Sequence, residues 1–325
     1  MRFVPDHRLD DALRPRAVAC DGRCEAGLEL SHWRGNATPA RYQADLSTEM
    51  ALRFARDAEE RARFEVVTNN HHDADGVLSL FAVLRPDEAL AQADRWVRAA
   101  AMGDFRHGDD PEALKLAATL DGLLGHPASP IAPQLRDLPE ADQSALATEH
   151  ALARLPGLAD DLDAYAALWE DELAWWEASR DALRSGALRL TELAPARLTV
   201  AEWDEEPHPA VLDGAMGGDL ALLVIEGDEG FHYRADWRYY SWAETVSPQR
   251  PPVRTVDLEK LCLPLNSLET NRRGRWMHAG YQGQGMTEAL RFTNLLGEEL
   301  ESHLQPTEVV QKLAWFVMER GAKGP

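Results

Sequence analysis

Phe64-Glu65-Val66-Val67-Thr68, followed at once by Asn69-Asn70-His71-His72-Asp73-Ala74-Asp75-Gly76, decides how the chain is read. The first five residues include a β-branched run of the kind that forms a buried strand. The next eight break it with polar side chains, and Val77 to Leu84 resumes as an apolar helix. The same alternation extends upstream. Arg16–Cys20 reads as a strand ending at Asp21-Gly22, and Gly27–Ser31 as a strand ending at His32. A loop with Gly35, Asn36 and Pro39 follows. Asp45 or Ser47 then caps a helix from Thr48 to about Ala58, with Met50, Leu52 and Phe54 on its apolar face. Downstream, Pro86 and Asp87 open a helix to about Met102 that stops at Gly103-Asp104. Strands and helices alternating at this spacing predict an α/β fold, a parallel sheet covered by helices.

Residues 111–185 are Ala/Leu/Glu/Asp-rich and predicted helical, with a break near Pro156-Gly157; Trp169, Trp175 and Trp176 are expected in packing. The character changes after Gly186. Leu188–Leu190, Arg197–Val200 and Leu220–Ile225 read as strands, and Gly227-Asp228-Glu229-Gly230 as a turn. Phe231–Tyr239 alternates apolar Phe231, Tyr233, Ala235, Trp237 and Tyr239 with polar His232, Arg234, Asp236 and Arg238. Leu258 to Leu268 has helical spacing, although it contains Pro264. The expected organisation is a metal-binding α/β domain with a helical extension over residues 1–185, then a smaller α+β substrate or accessory domain over 186–325.

With 45% apolar and 27% charged residues, the chain has the composition of a packed protein. Its formal charge of −21, from 34 Lys+Arg against 55 Asp+Glu, repels a polyanion, so duplex nucleic acid is not expected as a partner. A small anion held by a metal remains compatible. No apolar run approaches the roughly 18 residues of a membrane helix, and the N-terminus lacks the apolar stretch of a signal peptide; the expected location is the cytoplasm. Cys20, Cys24 and Cys262 are too few, and odd in number, for a disulfide framework. Cys20 and Cys24 have no second Cys/His pair at zinc spacing, so buried thiols are expected.

Residues i and i+2 of an extended loop can point the same way. Asp73 and Asp75 can therefore share one or two divalent ions, with His71 or His72 adding nitrogen. Gly76 permits the turn into the helix, where Ser79 and the first N–H groups can face an anion. Parallel sheets place their ligands at the carboxyl ends of strands, where this segment lies. The competing reading is a polar loop with helix-capping aspartates. Two Asn, two His and two Asp in seven residues is a richer ligand mixture than a cap needs.

His71-His72-Asp73-Ala74-Asp75-Gly76-Val77-Leu78-Ser79 resembles the first motif of the DHH phosphoesterase superfamily, H-x-D-x-D-G-x-x-S. That superfamily includes exonucleases, oligonucleotide and cyclic-dinucleotide phosphodiesterases, and manganese-dependent inorganic pyrophosphatases. The resemblance implies two metal ions, usually Mn with Mg or Zn as alternatives, activating water against a phosphoester or phosphoanhydride of a small or short substrate. Leu30–Asn36 followed by Ala44–Met50 is similar to the name-giving Asp-His-His segment, with Ser31 and Trp33 in place of the outer Asp and the second His. Asp21 matches that family's isolated aspartate and Asp104 its later metal aspartate. The implied ligands are thus His71, Asp73, Asp75, Asp21, Asp104 and His32. Because Asp21 and His32 precede the His71 segment, the resemblance implies a divergent core, circularly permuted or otherwise rearranged. Catalytic roles fall to His32 and to His107, the latter with an exposed loop histidine as its alternative.

On the substrate side, Asn271 to Gly285 packs three arginines and four glycines into fifteen residues, and Arg272, Arg273, Arg275 and His278 are the candidates. Guanidinium forks match phosphate oxygens; a basic surface loop is the alternative. Arg234 and Arg238 are a further pair. The absence of a full Asp-His-His triplet supports a second function, a non-catalytic metal- or ligand-binding regulatory protein, and a third is a hydrolase of a non-phosphate bond. The Ser31-His32-Trp33 and Thr68–His71 segments are also similar to a bacterial family of unknown function. Oligomeric state is not set by any of these features.

Overall fold

Four short strands, β1 (Arg2–Phe3), β2 (Ala17–Cys20), β3 (Leu28–Leu30) and β4 (Val66–Thr68), pair in parallel in the order β1-β4-β2-β3. They belong to a computed structural model that describes residues 1–278 and 287–321. Every residue of β2, β3 and β4 is buried, as in a parallel sheet covered on both faces. Val18 stands opposite Leu28 on one side and Val67 on the other, and Cys20 opposite Leu30. This register brings the three strands to their carboxyl ends at one level, so the residues that follow each of them emerge at one edge.

The helices beside this sheet are α1 (Ser47–Ala55), α2 (Ala58–Arg61), α3 (Ala74–Leu84), α4 (Pro86–Ala91) and α5 (Ala93–Phe105). α3 is buried from Ala74 through Val83, which explains its unbroken apolar run. The helix expected over 86–102 is two helices, parted at Gln92. Gly103 does not stop the second one. It lies inside α5 because a Cβ there would come within 3.2 Å of the Ala74 Cβ, so the glycine serves close helix packing. The stop falls instead on Arg106, in the left-handed region at φ 47°.

α6 (Pro111–Gly125), α7 (Ala132–Leu135), α8 (Glu140–Asp160) and α9 (Glu170–Ser185) complete the helical stretch. α8 runs through Pro156 to Asp160, where the sequence predicts a break. Proline removes one helical hydrogen bond, and buried Leu155, Leu158 and Ala159 hold the last turn in place.

The second sheet is mixed, in the order β5-β6-β7-β8-β10-β9: β5 (Arg189–Leu193), β6 (Leu198–Glu202), β7 (Leu220–Glu226), β8 (Phe231–Trp237), β9 (Arg275–Met277) and β10 (Glu288–Thr293). β6 and β7 are parallel, joined by a crossover through α10 (Pro209–Ala215); the other pairs are antiparallel. The alternation in β8 puts Tyr233, Ala235 and Trp237 into a core with Leu222, Trp276 and Phe292. α11 (Glu259–Leu268), which holds Pro264, and α12 (Pro306–Gly321) contribute Leu265 and Leu313 to the same core.

Two compact units result: Met1–Ala174 with Ala243–Pro251, and Trp175–Trp242 with Pro252–Pro325. The first therefore ends within α9 and regains a short later segment. The three cysteines are buried free thiols. No helix among the described residues is long and apolar enough to cross a membrane.

Candidate metal centre

The ends of β2, β3 and β4 deliver the ligand-bearing residues. Asp21 directly follows β2 and takes the left-handed conformation, φ 49°, which Asp tolerates better than most residues. His32 lies two residues beyond β3. His71 and Asp73 occupy the turn after β4, and Asp75 the first turn of α3. Asp104 reaches the same place from the last turn of α5.

His32 Nδ1 lies 2.7 Å from the main-chain oxygen of Asp45. A carbonyl can only accept, so Nδ1 carries the hydrogen and Nε2 is turned toward the carboxylates. It stands 3.1 Å from Asp104 Oδ2, 3.3 Å from Asp21 Oδ1 and 3.9 Å from Asp75 Oδ2. Asp21, His32, Asp75 and Asp104 are all buried. A second group forms on the other oxygen of Asp21. His71 Nε2 is 2.9 Å from Asp21 Oδ2 and 2.9 Å from Asp73 Oδ2. This second group opens outward, with side-chain exposures of 28% for His71 and 34% for Asp73. Within each group the ligand atoms lie within 4.8 Å of one another, a spacing that can hold a metal ion.

The supporting bonds show that the aspartates are caps as well. Asp73 Oδ1 accepts the Gly76 N–H at 2.8 Å and so caps its own helix, α3. Asp75 caps a different one: its two oxygens accept the N–H groups of Ser47 and Thr48, at 2.8 Å each, at the start of α1. Asp21 Oδ1 accepts from Ser47 Oγ at 2.9 Å and from Trp33 Nε1 at 3.1 Å. Asn69 braces the turn, its Nδ2 donating to Cys20 O at 3.0 Å and its Oδ1 accepting the His71 N–H at 2.6 Å.

Gly76 is required by this brace. A Cβ there would fall 2.7 Å from Asn69 Nδ2 and 2.9 Å from Asp73 Oδ1. Gly76→Ala is expected to cost about 1–3 kcal/mol and to displace Asp73. The check is thermal unfolding together with metal content; an unchanged midpoint and an unchanged content would contradict it.

Burial first, then the nearby Asp21 charge, pushes the Asp75 carboxyl up to about 6. Asp104 is raised well above the usual range by burial and by Asp73, with His32 opposing. Burial would raise Asp21 too, but hydrogen bonds from His32 and His71 win and hold it low. Burial disfavours the His32 and His71 cations; the carboxylates at each ring overcome it and raise both. Clustered buried carboxylates of this kind are costly without a cation.

Of the two candidate histidines in the motif, only His71 enters a ligand group. His72 points inward, its Nε2 2.8 Å from Leu120 O and its Nδ1 3.0 Å from Thr148 Oγ1, so both ring nitrogens are engaged in the helical layer. Ser79 is buried, and its Oγ donates to Gly76 O within the helix. Asp45 does not cap α1, since its carboxylate binds Val246, Ser247 and Arg250. His107 lies on an exposed turn beyond α5 and belongs to neither ligand group among the described residues.

Arg272, Arg273, Arg275 and His278 lie in the second unit. The three arginines are exposed, with Arg273 paired to Glu229 at 2.8 Å, and His278 Nδ1 bonds Ala289 O. Gly280, Gly283 and Gly285 of the same segment lie outside the described residues. Arg238 is spent on the carbonyls of Asp213, Met216 and Gly218, and Arg234 on Glu206 and Asp236.

Ser47, Trp33 and Asn69 support the ligands, a role the sequence reading did not assign to them. Ser47 reads there as a helix cap, Trp33 as the replacement of a histidine and Asn69 as the first polar residue after a buried strand. A family model described as a family of unknown function (DUF6687) matches residues 1–318. No curated protein matches the chain. Among solved structures, the pGpG-specific phosphodiesterase PggH from Vibrio cholerae is similar at 8% identity and a TM-score of 0.34, over 79% of this chain and 80% of that one.

Proposed function

The chain belongs to the DUF6687 family, and from its own side chains we propose that it is a DHH-type, metal-dependent hydrolase of a phosphoester or phosphoanhydride bond in a small or short substrate. The observation that carries this reading is the sharing of Asp21 between two ligand groups, one oxygen to each. Oxygen donors with one imidazole per group suit Mn, Mg or Zn. Asp21, His32, Asp75 and Asp104 would hold one ion; Asp21, His71 and Asp73 would hold the other. Such a pair, when bound, lowers the pKa of water and offsets charge on phosphoryl oxygens.

The chain's own residues prepare that chemistry. Their carboxylates make the pocket cation-selective. The exposed side of His71 and Asp73 leaves substrate a way in. Trp33 stands where the superfamily motif has a second histidine. It donates to Asp21 Oδ1 and lies 5.4 Å from the His71 ring, so it orients the shared ligand without coordinating. That substitution also supports a second reading, in which the centre binds metal and ligand without turnover.

Metal content tests both. Protein purified without chelator and dialysed against Mn2+ is expected to hold about two equivalents, and the Asp73→Ala/Asp75→Ala double variant none. Near-zero metal in both proteins rejects any metal centre. Two equivalents without turnover of pyrophosphate, short oligonucleotides or dinucleotides favours the second reading.

A further inference from the structure

Ala243–Pro251 belongs to the first unit, although the chain on either side of it belongs to the second. Its fastenings converge on His32. The Glu244 N–H donates to the main-chain oxygen of His32 at 2.7 Å. Trp33 and Ala243 form an antiparallel bridge. The Glu244 carboxylate accepts from Gly35 N and Asn36 Nδ2, both at 2.9 Å. Farther along, the Asp45 carboxylate, 3% exposed, takes the N–H groups of Val246 and Ser247 at 2.7 and 2.9 Å, the Ser247 hydroxyl, and Arg250 Nη1 at 3.0 Å. The same Asp45 presents its carbonyl to His32 Nδ1. The Arg250 guanidinium lies 4.6 Å over the Phe105 ring, and that ring is 5.6 Å from the His32 ring.

We propose that this strap is a clamp for the His32 ring, with Asp45 and Arg250 as positioning residues for the buried ligand group. His32 is gripped at its main chain by Glu244, at Nδ1 through Asp45, and on its face through Phe105 and Arg250. None of the strap's residues belongs to either ligand group among the described residues. The His71 group meets the strap through Trp33, which bridges Ala243, donates to the shared Asp21 and lies 5.4 Å from the His71 ring. Through Asp45, Phe105 and Arg250 the clamp therefore acts on the His32 group. Hydrogen-bond partners of a ligating histidine fix its tautomer and ring orientation, and their loss weakens metal binding by about 10- to 100-fold.

The inference rests on the two-site reading above, and the test separates the two. Mn2+ is titrated into wild type, Arg250→Ala, Arg250→Lys and Glu244→Ala, with free Mn2+ followed by electron paramagnetic resonance. The expected result is two sites in wild type. In Arg250→Ala one of them is weakened about 10- to 100-fold and the other unchanged, with recovery in Arg250→Lys, which keeps a cation for Asp45. The 15N imidazole shifts of His32 in the metal-free protein are expected to move in Arg250→Ala but not in Arg250→Lys. No binding in wild type defeats the two-site reading itself. Two wild-type affinities in Arg250→Ala and Glu244→Ala overturn the clamp, and so does equal weakening of both sites. Should Arg250→Ala not fold, Ser247→Ala, which removes the hydroxyl donor to Asp45, decides by the same criteria.

Discussion

Asp21→Asn is expected to remove both manganese equivalents at once, whereas Asp73→Asn and Asp104→Asn each remove one. The difference follows from position. Asp73 and Asp104 each serve a single ligand group, while Asp21 presents Oδ1 to the His32 group and Oδ2 to the His71 group. Asparagine keeps the shape, tolerates the left-handed conformation at φ 49°, and can still accept from Ser47 Oγ and Trp33 Nε1. The fold is thus retained while the charge and one ligand oxygen are lost. Metal-based charge stabilisation is worth several kcal/mol, and each 1.4 kcal/mol is a factor of ten. Any hydrolysis that wild type shows is expected to fall about 10^3-fold or more, with KM of the residual activity uninformative because no centre remains. Elemental analysis of the three variants side by side is the check. One equivalent retained in Asp21→Asn would show that the two groups do not depend on a common ligand.

Strands β2, β3 and β4 and the His71–Gly76 segment are legible in the sequence because they are local patterns; β1, only two residues long, carries none. A buried parallel strand is short and apolar, and its end is marked by the first polar residues, so Asp21, His32 and the His71 segment stood out as strand-end residues. Asp104 was reached only through family resemblance, because a helix residue facing a sheet edge carries no periodic signature. The capping alternative and the metal reading were set against each other, and the structure makes them compatible. A carboxylate has about four acceptor directions, so Asp73 and Asp75 cap α3 and α1 and still face the pocket. Ligand chemistry alone leaves His71 and His72 open; the H-x-D-x-D-G resemblance selects His71, whose ring Nε2 lies 2.9 Å from Asp21 and Asp73. What stayed illegible depends on chain far away. Asp45 reads as a helix cap, yet its donors come from residues 246–250. The Gly103 stop failed similarly, because the glycine answers to Ala74 on another helix.

The metal-free protein is expected to lose stability as pH rises from 5 to 8, and the manganese-loaded protein to gain it. Asp75 is raised to about 6 in the fold, chiefly by burial, and Asp104 is raised as well. A raised carboxyl contributes stability that is complete below its unfolded pKa, about 4, and is lost as pH climbs through the folded value. His32 and His71 act in the same direction, since their raised values favour the fold below about 6.5 and that contribution disappears above. Asp21 runs oppositely, but its loss falls at acid pH, below about 4, outside this window. Across this window Asp75 alone amounts to roughly 1–2 kcal/mol, or about 2–3 °C in melting temperature for a chain of this size. A divalent cation reverses the sign because it takes deprotonated ligands; at 1,000 times its Kd it adds about 4 kcal/mol. Thermal melts at pH 5, 6.5 and 8, in EDTA and in Mn2+, should therefore diverge, with the gap widest at pH 8. Asp75→Asn with Asp104→Asn should reduce the slope of the EDTA series and leave only the Mn2+ response of the His71 group. Parallel curves in EDTA and Mn2+ would mean that the carboxylates buried at the strand ends do not meet a cation. The cost of burying them would then have to be met by the α1 cap and the two histidines alone.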